Sequence, residues 1–278
     1  MLLLALDTST RQASVALCTE ETLLGEYTWL VGNNHSIELL ERIRRLMAEC
    51  GHTMQAIDVI AVATGPGSFN GLRVAVTAAK ALAFALQVPL IGVSTLDVIA
   101  AHQRQWRGPI CAVLEAGRSE LYAACYTFDE TYEEQNSILT YTLRRLSDYL
   151  LDAPEALTHY LQEHLSALVG VPGERQLPVT LFCGEMSETS RAVLHQHLPE
   201  SSLFLESFQS ARHASVLAYL AFQRFLGGII DDPLSLEPLY LRRPSITTSV
   251  RKQPLLGSKT PGSSNLTETE REEGALHH

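Results

Sequence analysis

The run Gly65-Pro-Gly-Ser-Phe-Asn-Gly-Leu-Arg73 stands between two apolar stretches of different character. Residues 57–63 before it are short and β-branched, and read as a buried strand. Residues 74–86 after it are Ala-rich and free of Gly and Pro, so a buried helix is expected over 69–86. A strand that turns this quickly into a helix aims the free N–H groups of the helix at the turn. That is the geometry of an anion site. The same residues also make a tight turn with Ser68 as N-cap, and Gly-rich turns are common. Spacing alone leaves both readings open.

The chain begins Leu2-Leu-Leu-Ala-Leu-Asp-Thr-Ser-Thr10, then Ala13-Ser-Val-Ala-Leu-Cys18, then Thr22-Leu-Leu-Gly-Glu-Tyr-Thr-Trp29. Polar turns separate these segments, so an antiparallel meander of strands is expected. Asp7 ends the first strand and Thr8, Ser9 and Thr10 follow in the turn. A carboxylate and hydroxyls so placed suit a metal-bound phosphate, or simply close the hairpin. Asp7, Thr8, Ser9, Gly65, Gly67 and Ser68 are therefore the candidate phosphate-binding residues. A helix follows at 36–50, with apolar residues at helical spacing, then the strand at 57–63, the helix at 69–86 and a short strand at 88–92. The order β-β-β-α-β-α-β is that of an actin-like, ribonuclease-H-like half, with a mixed sheet covered by helices.

The second part repeats the order loosely. Strands are expected at 109–115, 120–127, 136–143 and 178–183, and helices at 154–168, 187–198 and 211–226, the last ended by Gly227-Gly228. The fold class is thus α/β, a duplicated β-β-β-α-β-α arrangement in two lobes with mixed sheets. An N-terminal lobe over 1–105 and a diverged C-terminal lobe over 106–245 are expected, then a disordered tail over 246–278 rich in Thr, Ser, Pro, Gly, Lys and Glu.

The net charge of −10 argues against a strong electrostatic binder of nucleic acid. The five cysteines are scattered without a Cys-x-x-Cys, and read as small buried hydrophobes in a reducing compartment. No apolar run reaches the roughly 18–20 residues of a membrane span, and no charged region precedes the first apolar segment, so a cytoplasmic protein without a signal peptide is expected.

Asp7-Thr-Ser-Thr, Asn34-His-Ser-Ile-Glu-Leu-Leu40, the 65–73 turn, Gly92-Val-Ser-Thr-Leu96 and Glu237-Pro-Leu-Tyr-Leu-Arg242 occur in this order. Together they resemble the TsaB (YeaZ) family of bacterial tRNA threonylcarbamoyladenosine biosynthesis subunits, strongly in the first half and weakly in the second. The resemblance implies an actin-like fold and a part in forming N6-threonylcarbamoyladenosine at tRNA position 37. It implies pairing with the transferase paralogue TsaD, joined by the ATPase TsaE. Contact with tRNA would come only through that complex, and homodimers are a further expectation. No catalytic residue and no cofactor of its own are implied for this chain, with ATP or ADP bound within the complex.

A metal-using transferase of this family needs two histidines one helical turn apart. Here His35 opens the first helix and Leu39 stands four residues on, so no metal centre is expected. His195 and His197 are two apart and point to different sides of a helix. Helices 36–50 and 69–86 are apolar on more sides than one sheet can cover. The candidate partner interface is His35, Leu39, Ile43, Leu72, Arg73, Val76, Ala79 and Lys80. The chain departs from the family at Asn70, where Thr is usual, and at Glu115 and Gly117, where Asp and Arg are usual; any ligand contact carried to the second position is in doubt. The competing readings are an ATP-binding phosphotransferase or ATPase acting alone through Asp7, Ser9 and the 65–68 turn, and a protease.

Overall fold

The computed structural model describes residues 1–32, 35–133, 138–168 and 178–242. The expected tail and the first residues of the strand expected from 136 lie outside these, as does the side chain of His35.

The first sheet contains β1 (Leu2–Asp7), β2 (Gln12–Thr19), β3 (Leu23–Leu30), β4 (Val59–Gly65) and β5 (Leu90–Ser94), in the order β3-β2-β1-β4-β5. The meander β1-β2-β3 is antiparallel, with Leu4 opposite Leu17, and β4 and β5 join it in parallel. Helices α1 (His35–Glu49) and α2 (Phe69–Leu86) cover one face. Strand β1 buries residues on both faces, which explains its unbroken apolar run. Leu2, Leu4 and Leu6 meet α1 and α2, while Leu3 and Ala5 point to the opposite core.

The second sheet contains β6 (Ile110–Gly117), β7 (Glu120–Glu133), β8 (Ile138–Arg145), β10 (Thr180–Glu185) and β11 (Ser202–Phe204), with β9 (Leu150–Asp152) paired to β7. Helices α4 (Pro154–Leu168) and α5 (Glu188–His197) pack on one face. The remaining helices are exchanged between the sheets. Helix α3 (Thr95–Ala101) follows β5 but puts Leu96, Ile99 and Ala100 into the core of the second sheet. Helix α6 (Ala214–Leu226) follows the second sheet but buries Ala214, Leu217, Ala218 and Ala221 against Ala5, Ala61 and Ala63 of the first. Small residues on both sides of that contact let the helix lie close to the strands.

By length and composition α2 meets the test for a membrane span, contrary to the sequence expectation that no run does. It is a core helix: Leu72, Ala75, Val76, Ala79 and Ala83 are buried in the first lobe. Short elements leave no clear pattern in the sequence, among them one helix and two strands. Helix α3, strand β9 and strand β11 span only 7, 3 and 3 residues.

Candidate functional site

The chain brings the candidate phosphate residues together where β1 ends and α2 begins. Ser68 is the N-cap of α2, and its side chain accepts from Gly71 N at 3.3 Å. Ser68 N donates to Ser9 O at 2.6 Å, and Thr8 Oγ1 donates to Gly71 O at 2.6 Å. A Cβ on Gly67 would come within 2.2 Å of Ser9 O, and one on Gly71 within 2.0 Å of Thr8 O. The glycines of the turn thus let the Asp7–Thr10 loop approach the start of α2 backbone to backbone.

Asp7 is committed in the same way. Its Oδ1 accepts from Ser9 N at 2.8 Å and from Ser9 Oγ at 2.5 Å. Its Oδ2 accepts from Arg212 Nε at 3.0 Å, and both side chains are 1% exposed. Sequence reasoning missed Arg212, which precedes α6 and lies 205 positions from Asp7. Its guanidinium also donates to Glu185 Oε1, and at 2.6 Å to both Thr10 Oγ1 and Gln12 O. Burial works against that charge, but Asp7 and Glu185 outweigh it and hold the guanidinium above its ordinary value. The result is an internal ion cluster joining the end of β1 to the end of β10.

The structure separates the candidate interface residues into two groups. Leu39, Ile43, Leu72, Val76 and Ala79 are at most 3% exposed and belong to the core under the first sheet. Ile43, Leu72, Val76 and Ala79 offer no surface to a partner, which corrects the expectation for these positions, while buried Leu39 only borders the groove between α1 and α2. Lys80 faces the chain itself: its Nζ donates to Leu234 O at 3.2 Å and Leu236 O at 3.0 Å. Among the candidates whose side chains are described, only Arg73 is exposed as expected, with its guanidinium 5.3 Å from the ring of Phe69. His35 starts α1.

The open surface lies one position to the side. A groove of about 650 Å³ runs between α1 and α2, walled by Leu40, Val74, Ala78, Ala81, Leu82 and Ala85, with Arg73 and Thr77 at its edge. Leu40 is 53% exposed and Ile37 and Phe84 each 69%. The alanines of α2 leave the groove shallow-walled, so another helix can seat against it at short range. Contiguous exposed apolar surface of this kind marks an interaction site.

The Glu237–Arg242 run packs beside the start of α2. Leu239 N donates to Thr64 O at 2.7 Å, the Tyr240 and Phe69 rings lie 5.1 Å apart, and Arg242 Nη1 donates to Ala116 O at 2.9 Å. The segment therefore straps the start of α2 to the β6–β7 turn of the second lobe. That turn holds Gly117, Arg118 and Ser119 at φ of 70°, 58° and 58°. Glu115, the departure noted above, accepts from Ser187 N at 2.7 Å and Ser190 Oγ at 2.8 Å at the start of α5.

A family model described as "TsaD: tRNA N6-adenosine threonylcarbamoyltransferase" matches residues 29–246. The "tRNA threonylcarbamoyladenosine biosynthesis protein TsaB" of Bacillus subtilis is 34% identical over 153 residues, which cover 53% of this chain and 67% of that protein. The protein of the same name from Escherichia coli is 34% identical over 134 residues, 47% of this chain and 57% of the relative. The chain thus aligns to between about half and two thirds of the length of these relatives. A solved structure titled "YeaZ from Pseudomonas aeruginosa" superposes with a TM-score of 0.66 at 28% identity, covering 86% of this chain and 99% of that one.

Proposed function

This chain belongs to the TsaB proteins of the TsaD family, and on that premise we propose that it is the non-catalytic partner subunit in forming N6-threonylcarbamoyladenosine at tRNA position 37. In this reading it holds a TsaD-type transferase in its active state. The observation that carries the reading is the groove between α1 and α2, an apolar surface that rests on the core through Leu39, Val74, Ala78 and Leu82 and leaves Leu40, Ala81 and Ala85 exposed. A TsaD-type partner seats a helix pair there, and TsaE joins the pair. Contact with tRNA and with ATP or ADP belongs to the assembled cytoplasmic complex rather than to this chain. The first helix supports a non-catalytic role, because Leu39 stands where a second metal-binding histidine would be needed one turn after His35.

The solitary-ATPase reading is less favoured by the geometry. Asp7, the carboxylate it would use, is already neutralised by Arg212, and a phosphate would have to displace that guanidinium or the Ser9 contacts.

The test is reconstituted threonylcarbamoyl transfer to tRNA with TsaD, TsaE and the adenylate synthase, with and without this chain, read by nucleoside mass spectrometry. Modification is expected to require the chain. Ala78→Arg, which places a charged side chain in the groove, is expected to lower modification by at least about a hundredfold, the scale of a lost interface anchor, with the fold intact by circular dichroism. Unchanged modification without the chain would overturn the subunit reading. An unchanged Ala78→Arg protein would move the contact to another face.

A further inference from the structure

A second cavity lies in the seam between the lobes, near the other end of α6 from Arg212. It holds about 200 Å³ and is formed by β5, α3, β8 and α6. Val93, Leu143 and Leu220 make its apolar walls, and Asp97, Thr142, Gln223 and Arg224 bring polar groups to it.

Two of these groups are charged and incompletely satisfied. Asp97 Oδ1 accepts from Tyr126 Oη at 2.8 Å and Tyr149 Oη at 3.2 Å. Both phenols thus use the same oxygen, and among the described residues Oδ2 accepts no hydrogen bond. Burial pushes the Asp97 carboxyl up, and the two phenols, Arg145 and Arg224 pull it only partly back. Arg224 Nε is buried without a hydrogen-bond partner among the described residues. Its Nη2 comes only to 3.7 Å from Asp231 Oδ2, an oxygen already accepting from Gly92 N at 2.7 Å. Native proteins rarely leave such a buried donor unpaired without reason. Gln223 uses its amide nitrogen on Tyr219 Oη at 2.7 Å, which leaves its carbonyl oxygen available.

A guanidinium fork matches a carboxylate, and an ionised carboxylate matches an ammonium. A cavity that offers both, in a space well below the roughly 300–1,000 Å³ of larger ligands, suits a small molecule carrying both charges. We propose that this seam cavity binds a small α-amino acid, its carboxylate on Arg224 and its ammonium on Asp97. The apolar walls take a short side chain, and Thr142 and the Gln223 carbonyl accommodate a polar one. The site draws on both lobes, so an occupant would tie α3 and β8 to α6. It is independent of the groove between α1 and α2.

The test is calorimetry of the full chain with glycine, L-alanine and L-serine, beside the methyl ester and the N-acetyl derivative of L-alanine. At least one free amino acid is expected to bind with Kd near or below about 1 mM, and each blocked form at least about tenfold more weakly. Arg224→Gln and Asp97→Asn are each expected to weaken binding by about tenfold or more, the amide keeping an acceptor for both phenols. Should Asp97→Asn fail to fold, the N-acetyl derivative tests the same contact on the native chain. Absence of binding by all three amino acids, equal binding of the blocked forms, or full affinity in Arg224→Gln would overturn the proposal.

Discussion

The lobes share an element order but finish their outer faces differently. In the second lobe the exposed positions of α4 and α5 are mostly polar: Glu155, His159, Gln162, Glu163, Glu188, Thr189 and Gln196. In the first, the exposed positions of α1 and α2 include Ile37, Leu40, Phe69, Ala81, Phe84 and Ala85. One helix pair is complete in water and the other is built for a neighbour. The strand ends differ too. Glu115, near the end of β6 in the second lobe, accepts from the start of α5, where a negative charge favours the helix dipole. In the first lobe the backbone of Ser9 meets the start of α2, and Asp7 turns instead to Arg212. A carboxylate near the strand end braces the N-cap Ser187 of a helix in one lobe and ties the lobes together in the other.

The largest effect should come from breaking that tie. Arg212→Ala leaves Asp7 buried and uncompensated, and removing one member of a buried ion pair typically costs about 3–5 kcal/mol. Denaturant unfolding should show that loss. Arg212→Lys should recover only part of it, because a point charge cannot span Asp7, Glu185 and Thr10 as the fork does. The triple change Asp7→Asn, Glu185→Gln, Arg212→Met should recover more. If Arg212→Ala is as stable as the native chain, the cluster does not hold the lobes.

The two sides of α2 should separate next. Leu72→Ala removes a fully buried side chain and should cost about 2–5 kcal/mol. Phe84→Ser alters an exposed position and should change stability by less than about 0.5 kcal/mol, while weakening capture of a TsaD-type partner. Equal stability losses would mean that the exposed face of α2 is part of the fold rather than an interface.

That division was the part of the site the sequence hid. The strand, turn and helix around Gly65 were legible because Gly and Pro punctuate them and a β-branched run differs from an Ala-rich one. The meander was legible from its alternation. Helix α2, however, is apolar on nearly every side, so its periodicity does not say which side meets the sheet. Leu72, Val76 and Ala79 are expected at the interface and are core; Ala81 and Ala85 are exposed and Ala78 is half-buried against the core. Arg212 carried no local signal, because its partners are brought to it by the exchange of α6 onto the first sheet. Helix α3 was invisible for a related reason. Leu96, Ile99 and Ala100 serve the opposite lobe while Val98 serves its own, and Ser94, which caps it by accepting from Leu96 N at 3.2 Å, lies in a motif legible only by resemblance.

The capping difference predicts a smaller effect. Ser68→Ala removes the N-cap of α2 and should cost about 1 kcal/mol. Glu115→Gln keeps the acceptor for Ser187 N but loses the charge near the α5 dipole, so about 0.3–1 kcal/mol is expected, shrinking with added salt. The Ser68→Ala loss should not change with salt, because no charge is removed. If both losses fell equally with salt, the proposed difference between the two helix starts would not hold.

The smallest effect concerns the join between the lobes and depends on pH. His102, just past α3, lies with its ring 5.3 Å from that of His213, just before α6. Burial holds His102 below its ordinary value, the charge of His213 lowers it further, and Glu26 pulls it partly back. A histidine whose proton is bound less well in the folded chain than in the unfolded one favours folding above the unfolded value of about 6.5, and that contribution is lost as pH falls through the folded value. Stability should therefore decline as pH drops below about 6.5, and His102→Gln should flatten the first part of that decline. The carboxylates held low, Glu41 by Arg44, Glu49 by the Tyr27 hydroxyl and Asp232 by the Leu234 N–H, act only nearer the carboxylate range, so the two phases separate on the pH axis. Thermal unfolding of both proteins between pH 7 and pH 5 measures the difference. Parallel curves would mean that protonation of His102 is not resisted by the fold, and that the place where the exchanged helices meet is open to water.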